Sequence, residues 1–85
     1  MKLKIGIIDD EMHAIQTLTF DLHDIFEEEV EIVFTSTNPV EGLKKVREKL
    51  PDLLFLDMDM PRLSGLEVLN LIDDLNLMVI IIIAV

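Results

Sequence analysis

The sequence predicts one α/β domain, a doubly wound parallel sheet with helices on both faces. Short apolar runs alternate with segments of helical period along the whole chain. Two helix-start signals fall where crossovers between parallel strands should begin. Aspartates close the first and third apolar runs, at the strand ends where such sheets gather ligands.

The first run, Leu3 to Ile8, is short, mostly apolar and stopped by Asp9-Asp10, which predicts a buried strand β1. From Glu11 the period changes: Ile15, Leu18, Leu22, Ile25 and Phe26 recur at helical spacing and predict α1, ending at Glu27-Glu28-Glu29. Val30 to Phe34 is short and rich in β-branched residues, a second strand, β2. Asn38 at a cap, Pro39 at the first helical position and Glu41 behind them open α2. Val40, Leu43, Val46 and Leu50 would form its buried face, and Pro51 closes it. Leu53 to Leu56 predicts β3, running into Asp57. A loop through Met60-Pro61 leads to Ser64-Gly65-Leu66-Glu67, a second cap-like start, for α3. Leu66, Leu69 and Ile72 would be its inner stripe. Asp73, Asp74 and Asn76 mark the exit, and Met78 to Ile83 reads as a buried strand, β4.

Composition narrows the function classes. The 85 residues suffice for one small domain, and 51% of them are hydrophobic, so a core is available. A domain of that size buries roughly 60–65% of its unfolded surface, which leaves a thin stability margin. Without cysteine, a disulfide framework and a zinc knuckle are both excluded, and an intracellular, cytoplasmic setting is the natural expectation. Seventeen acidic against seven basic residues give a formal charge of −10. Such a surface repels phosphate backbones and anionic lipid, so neither nucleic acid nor membrane is expected as a partner. MKLKIGIIDD is too short for a signal peptide, and the apolar run from Met78 falls far short of the ~20 residues of a membrane helix. A domain ending at so apolar a strand is expected to continue, or to have its open edge covered by a second copy or another chain.

The chemistry sits in two places, Asp9-Asp10 after β1 and Asp57 after β3. With β2 outside β1 and β3 on its other side, strand order 2-1-3-4, both acidic groups project into one crevice, since neighbouring strands lie only ~4.8 Å apart. Three carboxylates that close call for a cation, and all-oxygen ligation with room for water suits Mg²⁺. A carboxylate beside that ion can attack phosphorus and form an aspartyl phosphate. The plainer readings are that Asp9-Asp10 only caps α1 and that Asp57 is a polar strand end. Met58 and Met60 have no Cys or His beside them, which points to packing rather than a soft metal. His13 and His23 are nearly three turns apart on α1, too far for shared ligation.

IIDDE after the first strand, then PDLLFLDMDMPRLSG with an aspartate ending the third and Met-Pro three residues later, resembles the response-regulator receiver domain. The resemblance covers essentially the whole chain. It implies a flavodoxin-like receiver fold with the fifth strand and last helices missing, residues 1–85 being the front two-thirds of the domain without an output domain. It implies a phosphate-accepting switch in two-component signalling, with a histidine kinase or a small acyl phosphate as donor, rather than a turnover enzyme. Matched residue by residue, Asp57 is the phosphoacceptor, Asp10 the direct Mg²⁺ ligand, and Asp9 a ligand acting mostly through water. Asp59 is the residue whose backbone carbonyl binds the metal, and Pro61 and Gly65 shape the loop. The wording IIDDE, FLDMDMP and GLEVL is similar to regulators with a LytTR-type output.

The match also has departures. Ile83-Ala84 stands where the family has Ser or Thr followed by Ala, and the family's lysine at the end of the fifth strand has no counterpart; Lys44, Lys45 and Lys49 on α2 cannot replace it. Two other functions compete. Asp57-x-Asp59 after an apolar strand also resembles the first motif of haloacid-dehalogenase-type phosphatases, with Asp57 as nucleophile and Asp59 as acid/base. Against it, that motif normally leads its fold, and Pro61 stands where Thr or Val is usual. The other is a shortened, non-signalling receiver that serves as a dimerisation module.

Overall fold

The computed structural model describes residues 1–83; Ala84, set above against the family's alanine, lies outside them. The order is β1 (Leu3–Ile8), α1 (Met12–Phe26), β2 (Val30–Ser36), α2 (Pro39–Lys49), β3 (Leu53–Asp57), α3 (Gly65–Leu71) and β4 (Met78–Ile82). The four strands form one sheet in the order β2-β1-β3-β4, and every pairing is parallel. This is the doubly wound architecture that the alternation of runs predicts, and the flavodoxin-like fold that the resemblance implies.

Strand periodicity sorts the core onto two faces. Ile5 and Ile7 of β1 pack with Ile15 and Leu22 of α1 and with Val30. Ile8, Leu54 and Leu56 point the other way, into a cluster with Phe34, Val46 of α2, and Val68 and Ile72 at α3. The β1–β2 register shifts between Ile5 and Gly6. There the absent side chain of Gly6 makes room for the ring of Phe34, which a Cβ would strike.

Helix ends follow local chemistry. Asn38 Oδ1 accepts the amides of Val40 and Glu41 at 2.9 and 3.2 Å, and Leu50, at φ 46°, turns the chain out of α2 in the left-handed region. Ser64 and Glu67 close a reciprocal capping box on α3. Arg47 holds α2 to the end of α3, reaching Asp74 Oδ1 at 2.9 Å and the Leu71 carbonyl at 2.7 Å.

Four expectations need correction. On α2 the inward residues are Pro39, Gly42 and Val46, while Val40 and Leu50 are exposed; Pro39 takes the inward position, and Leu50 lies past the helix in its cap. On α3, Val68 is fully buried and Leu66 is 60% exposed, because the helix sets Gly65 against the backbone of the preceding loop. Ile25 and Phe26 are exposed at the last turn of α1, where Leu3 on the sheet is exposed as well and little remains to cover. β4 is an edge strand rather than a buried one: Met78 and Ile80 are exposed, and among the described residues no strand lies beyond it. No helix among those residues is long and apolar enough to cross a membrane.

Candidate functional site

The register of the central strands builds the site. Ile8 pairs with Leu56, so the residues that follow, Asp9 and Asp57, leave the sheet side by side. The Asp9 amide extends the ladder on the other flank, donating to the Ser36 carbonyl at 3.1 Å. Oxygens of Asp9, Asp10 and Asp57 all lie within 4.8 Å of one another. Asp9 and Asp57 are buried and Asp10 is exposed at the mouth. The three predicted carboxylates thus meet at one place.

Each buried carboxylate is held by the chain that follows it. Asp9 Oδ1 accepts the Glu11 amide at 2.9 Å, and Asp57 Oδ1 accepts the Asp59 amide at 3.1 Å. These bonds leave Oδ2 of each for a ligand. Asp9 is not the N-cap of α1: that position is Glu11, which makes no side-chain cap bond. Beyond Asp57, the Met58 amide reaches the Ile82 carbonyl of β4, and the Gly65 amide returns to the Met58 carbonyl, both at 3.1 Å. A Cβ on Gly65 would lie 2.8 Å from Met58 Cα and 2.9 Å from the Asp57 carbonyl, so only glycine lets the loop close this tightly. Met60 is buried in the core and anchors the middle of that loop, as its packing reading required.

The carboxylates line a cleft of about 480 Å³, with Glu11 and the exposed Asp59 on its rim. Among the described residues, no ion pair reaches Asp9, Asp10 or Asp57. Loss of hydration raises the Asp10 carboxyl above its ordinary value of 3.8, helped by its hydrogen bond to Asp57 and by the charges of Asp57 and Asp59. Converging hard oxygens, two of them pinned and none neutralised, fit a small hard divalent cation. Lys44 is paired with Glu41, Lys45 donates to the Thr35 carbonyl, and Lys49 ends α2 at the opposite end of the sheet. Ile83, just past β4, is exposed and brings no hydroxyl.

Sequence reasoning missed Arg62. It shares a second, smaller cleft with Asp10, about 250 Å³, walled also by Thr37, Asn38, Pro39 and Pro61. An arginine directly after the Asp57-to-Pro61 segment was the signal available.

Comparison with known proteins agrees with this geometry. The family described as response regulator receiver domain matches residues 5–85. The transcriptional regulatory protein BtsR of Escherichia coli K12 is 42% identical over 71 residues, which is 84% of this chain and 29% of that protein. The chain therefore spans under a third of the length of such relatives. Among solved structures, the response regulator domain of Thermotoga maritima CheB superposes with a TM-score of 0.78 at 26% identity, over 98% of this chain and 61% of that one. The CheX-CheY-BeF3-Mg²⁺ complex from Borrelia burgdorferi gives 0.81 at 28% identity, over 98% and 63%.

Proposed function

The chain belongs to the response regulator receiver domain family of two-component signalling, and on that premise we propose that it accepts a phosphoryl group on Asp57 in a magnesium-dependent reaction. The observation that carries this reading is the meeting of Asp9, Asp10 and Asp57 within 4.8 Å at the carboxyl ends of β1 and β3. Asp57 Oδ2 is the nucleophile, oriented by the bond that holds Oδ1. Asp10 and Asp57 would hold Mg²⁺ directly, with Asp9 acting mostly through water and the Asp59 backbone carbonyl as a further ligand. When bound, the ion offsets negative charge gathered on the transferring group. The presence of Mg²⁺ in the Borrelia CheY complex, 28% identical to this chain, supports magnesium as the ion.

The donor is a histidine kinase or a small acyl phosphate, and the chain is a phosphoacceptor rather than a turnover enzyme. Family membership and the place of Asp57 on the third strand, not the first, favour this over a phosphatase built on Asp57 and Asp59. The net charge of −10 argues against nucleic acid as a ligand of this segment. The test is incubation with labelled acetyl phosphate and Mg²⁺. Wild type takes up acid-labile phosphate and Asp57→Asn takes up none; label persisting in that variant would remove Asp57 from the mechanism.

One observation favours a second role. β4 presents an apolar outer edge, with Met78 69% exposed and Ile80 41% exposed, which suits pairing with a second copy or another chain. Light scattering behind size exclusion reads this directly, and a clean monomer at high concentration rejects it.

A further inference from the structure

Seven basic side chains serve this acidic protein, and most are placed or occupied away from the site. Arg47 is bound to Asp74 and the Leu71 carbonyl, Lys44 to Glu41, and Lys45 to the Thr35 carbonyl. Lys2 precedes β1, Lys4 lies near its start and Lys49 ends α2, all at the end of the sheet opposite the aspartates. Arg62 remains. Among the described residues no hydrogen bond or ion pair engages its guanidinium, and it is the one cation lining either cleft that Asp10 borders.

The two clefts differ in sign. The ionisable groups lining the one with Asp57 are all carboxylates, Asp9, Asp10, Glu11, Asp57 and Asp59. The other holds one carboxylate, Asp10, and the Arg62 guanidinium. When an acyl phosphate reacts, an oxygen of Asp57 bonds to phosphorus while the bond from phosphorus to the acyl oxygen breaks. That oxygen leaves with the electron pair as a carboxylate, and no proton moves. A leaving anion is repelled from the all-carboxylate cleft and attracted to the one with Arg62, whose planar fork of donors matches a carboxylate.

Resting on the phosphoacceptor reading, we propose that Arg62 is a positioning residue that selects acyl phosphate donors by holding the carboxylate they release. A donor whose leaving group departs neutral gains nothing from it. Phosphoramidate is such a donor, since its protonated nitrogen leaves as ammonia.

The experiment compares initial labelling rates with acetyl phosphate and with phosphoramidate, in Mg²⁺ buffer, for wild type, Arg62→Ala and Arg62→Lys. Arg62→Ala lowers the apparent second-order rate with acetyl phosphate about fivefold, mostly through KM, as suits an exposed charge pair. With phosphoramidate the change stays under about twofold on the same reasoning, and Arg62→Lys recovers part of the loss. Equal losses with both donors, or no loss with acetyl phosphate, overturn the proposal. A binding measurement separates this from the reading beneath it. Asp57→Asn, which cannot be labelled, is titrated by NMR with phosphonoacetate and with methylphosphonate. Adding Arg62→Ala weakens phosphonoacetate severalfold and leaves methylphosphonate unchanged; unchanged phosphonoacetate binding overturns the role of Arg62 even if wild type were never labelled, a result that would count against the phosphoacceptor reading instead.

Discussion

The backbone amide of Asp59 holds the carboxylate of Asp57, at 3.1 Å, two residues back along the loop. The contact uses main chain on one side, so the Asp59 side chain, exposed on the cleft rim, is free to vary without releasing Asp57. Asp59→Ala should therefore change unfolding free energy by less than about 0.5 kcal/mol, the usual range for surface substitutions. Urea unfolding checks this; a larger loss would show that the side chain itself supports the loop.

Gly65→Ala should be costly for a different reason. The added Cβ meets backbone atoms at 2.8 and 2.9 Å, which cannot rotate away as a side chain would. Overpacking of this kind costs about 1–3 kcal/mol. The shift should be visible in the urea midpoint, with the NMR signals of Met58 and Asp57 displaced most. A midpoint equal to wild type would mean that the loop closes less tightly than described.

Asp10 gives a pH signature. Its carboxyl is raised above 3.8 by lost hydration, then by Asp57 and Asp59, so the folded protein holds this proton more tightly than the unfolded chain does. The stabilising contribution is present in full below pH 3.8 and is lost as pH climbs through the raised value. At neutral pH the three carboxylates repel. Asp10→Asn should then melt higher than wild type at pH 7 without metal, and the advantage should vanish in acid. Added Mg²⁺ should raise the melting temperature of wild type far more than that of the variant. Equal metal responses would remove Asp10 from the ligand set.

Two leucines with similar standing in the sequence should part company on truncation. Leu54 is fully buried between β1 and the α2–α3 layer, whereas Leu66 is 60% exposed. Leu54→Ala should cost about 2–5 kcal/mol, the range for core leucines. Leu66→Ala should cost less than about 0.5 kcal/mol. Thermal and urea unfolding of the pair would test the packing of α3, and comparable losses would contradict it.

That contrast also shows where the sequence was legible. Strand order and the shared position of Asp9, Asp10 and Asp57 followed from alternating periods and from the rule that parallel strands present their carboxyl ends together. Helix starts were readable because Asn38 and Ser64 act through bonds a few residues long. Helix faces were less so. The periodic residues Val40, Leu66 and Ile25 fit an apolar stripe, yet which side of that stripe meets the sheet depends on where Pro39, Gly42 and Gly65 let the backbones approach. Those approaches are tertiary facts. Arg62 escaped for the same reason, since its cleft joins three connections that are distant in sequence. β4 carried five apolar residues, but hydrophobicity alone does not say whether a strand has one neighbour or two.

The pairing of Lys4 with Asp52 has a kinetic side. Each amide finds an acceptor on the other residue at 2.8 Å, one on the main chain and one on the carboxylate, across 48 positions of sequence. β1, lying at the centre, cannot gain its second neighbour until the 48 positions that separate this pair have emerged and closed a long loop. Non-local pairing of this kind slows folding relative to helical bundles of equal size. On the ribosome, β1 waits beside β2 until β3 arrives to flank it on the other side.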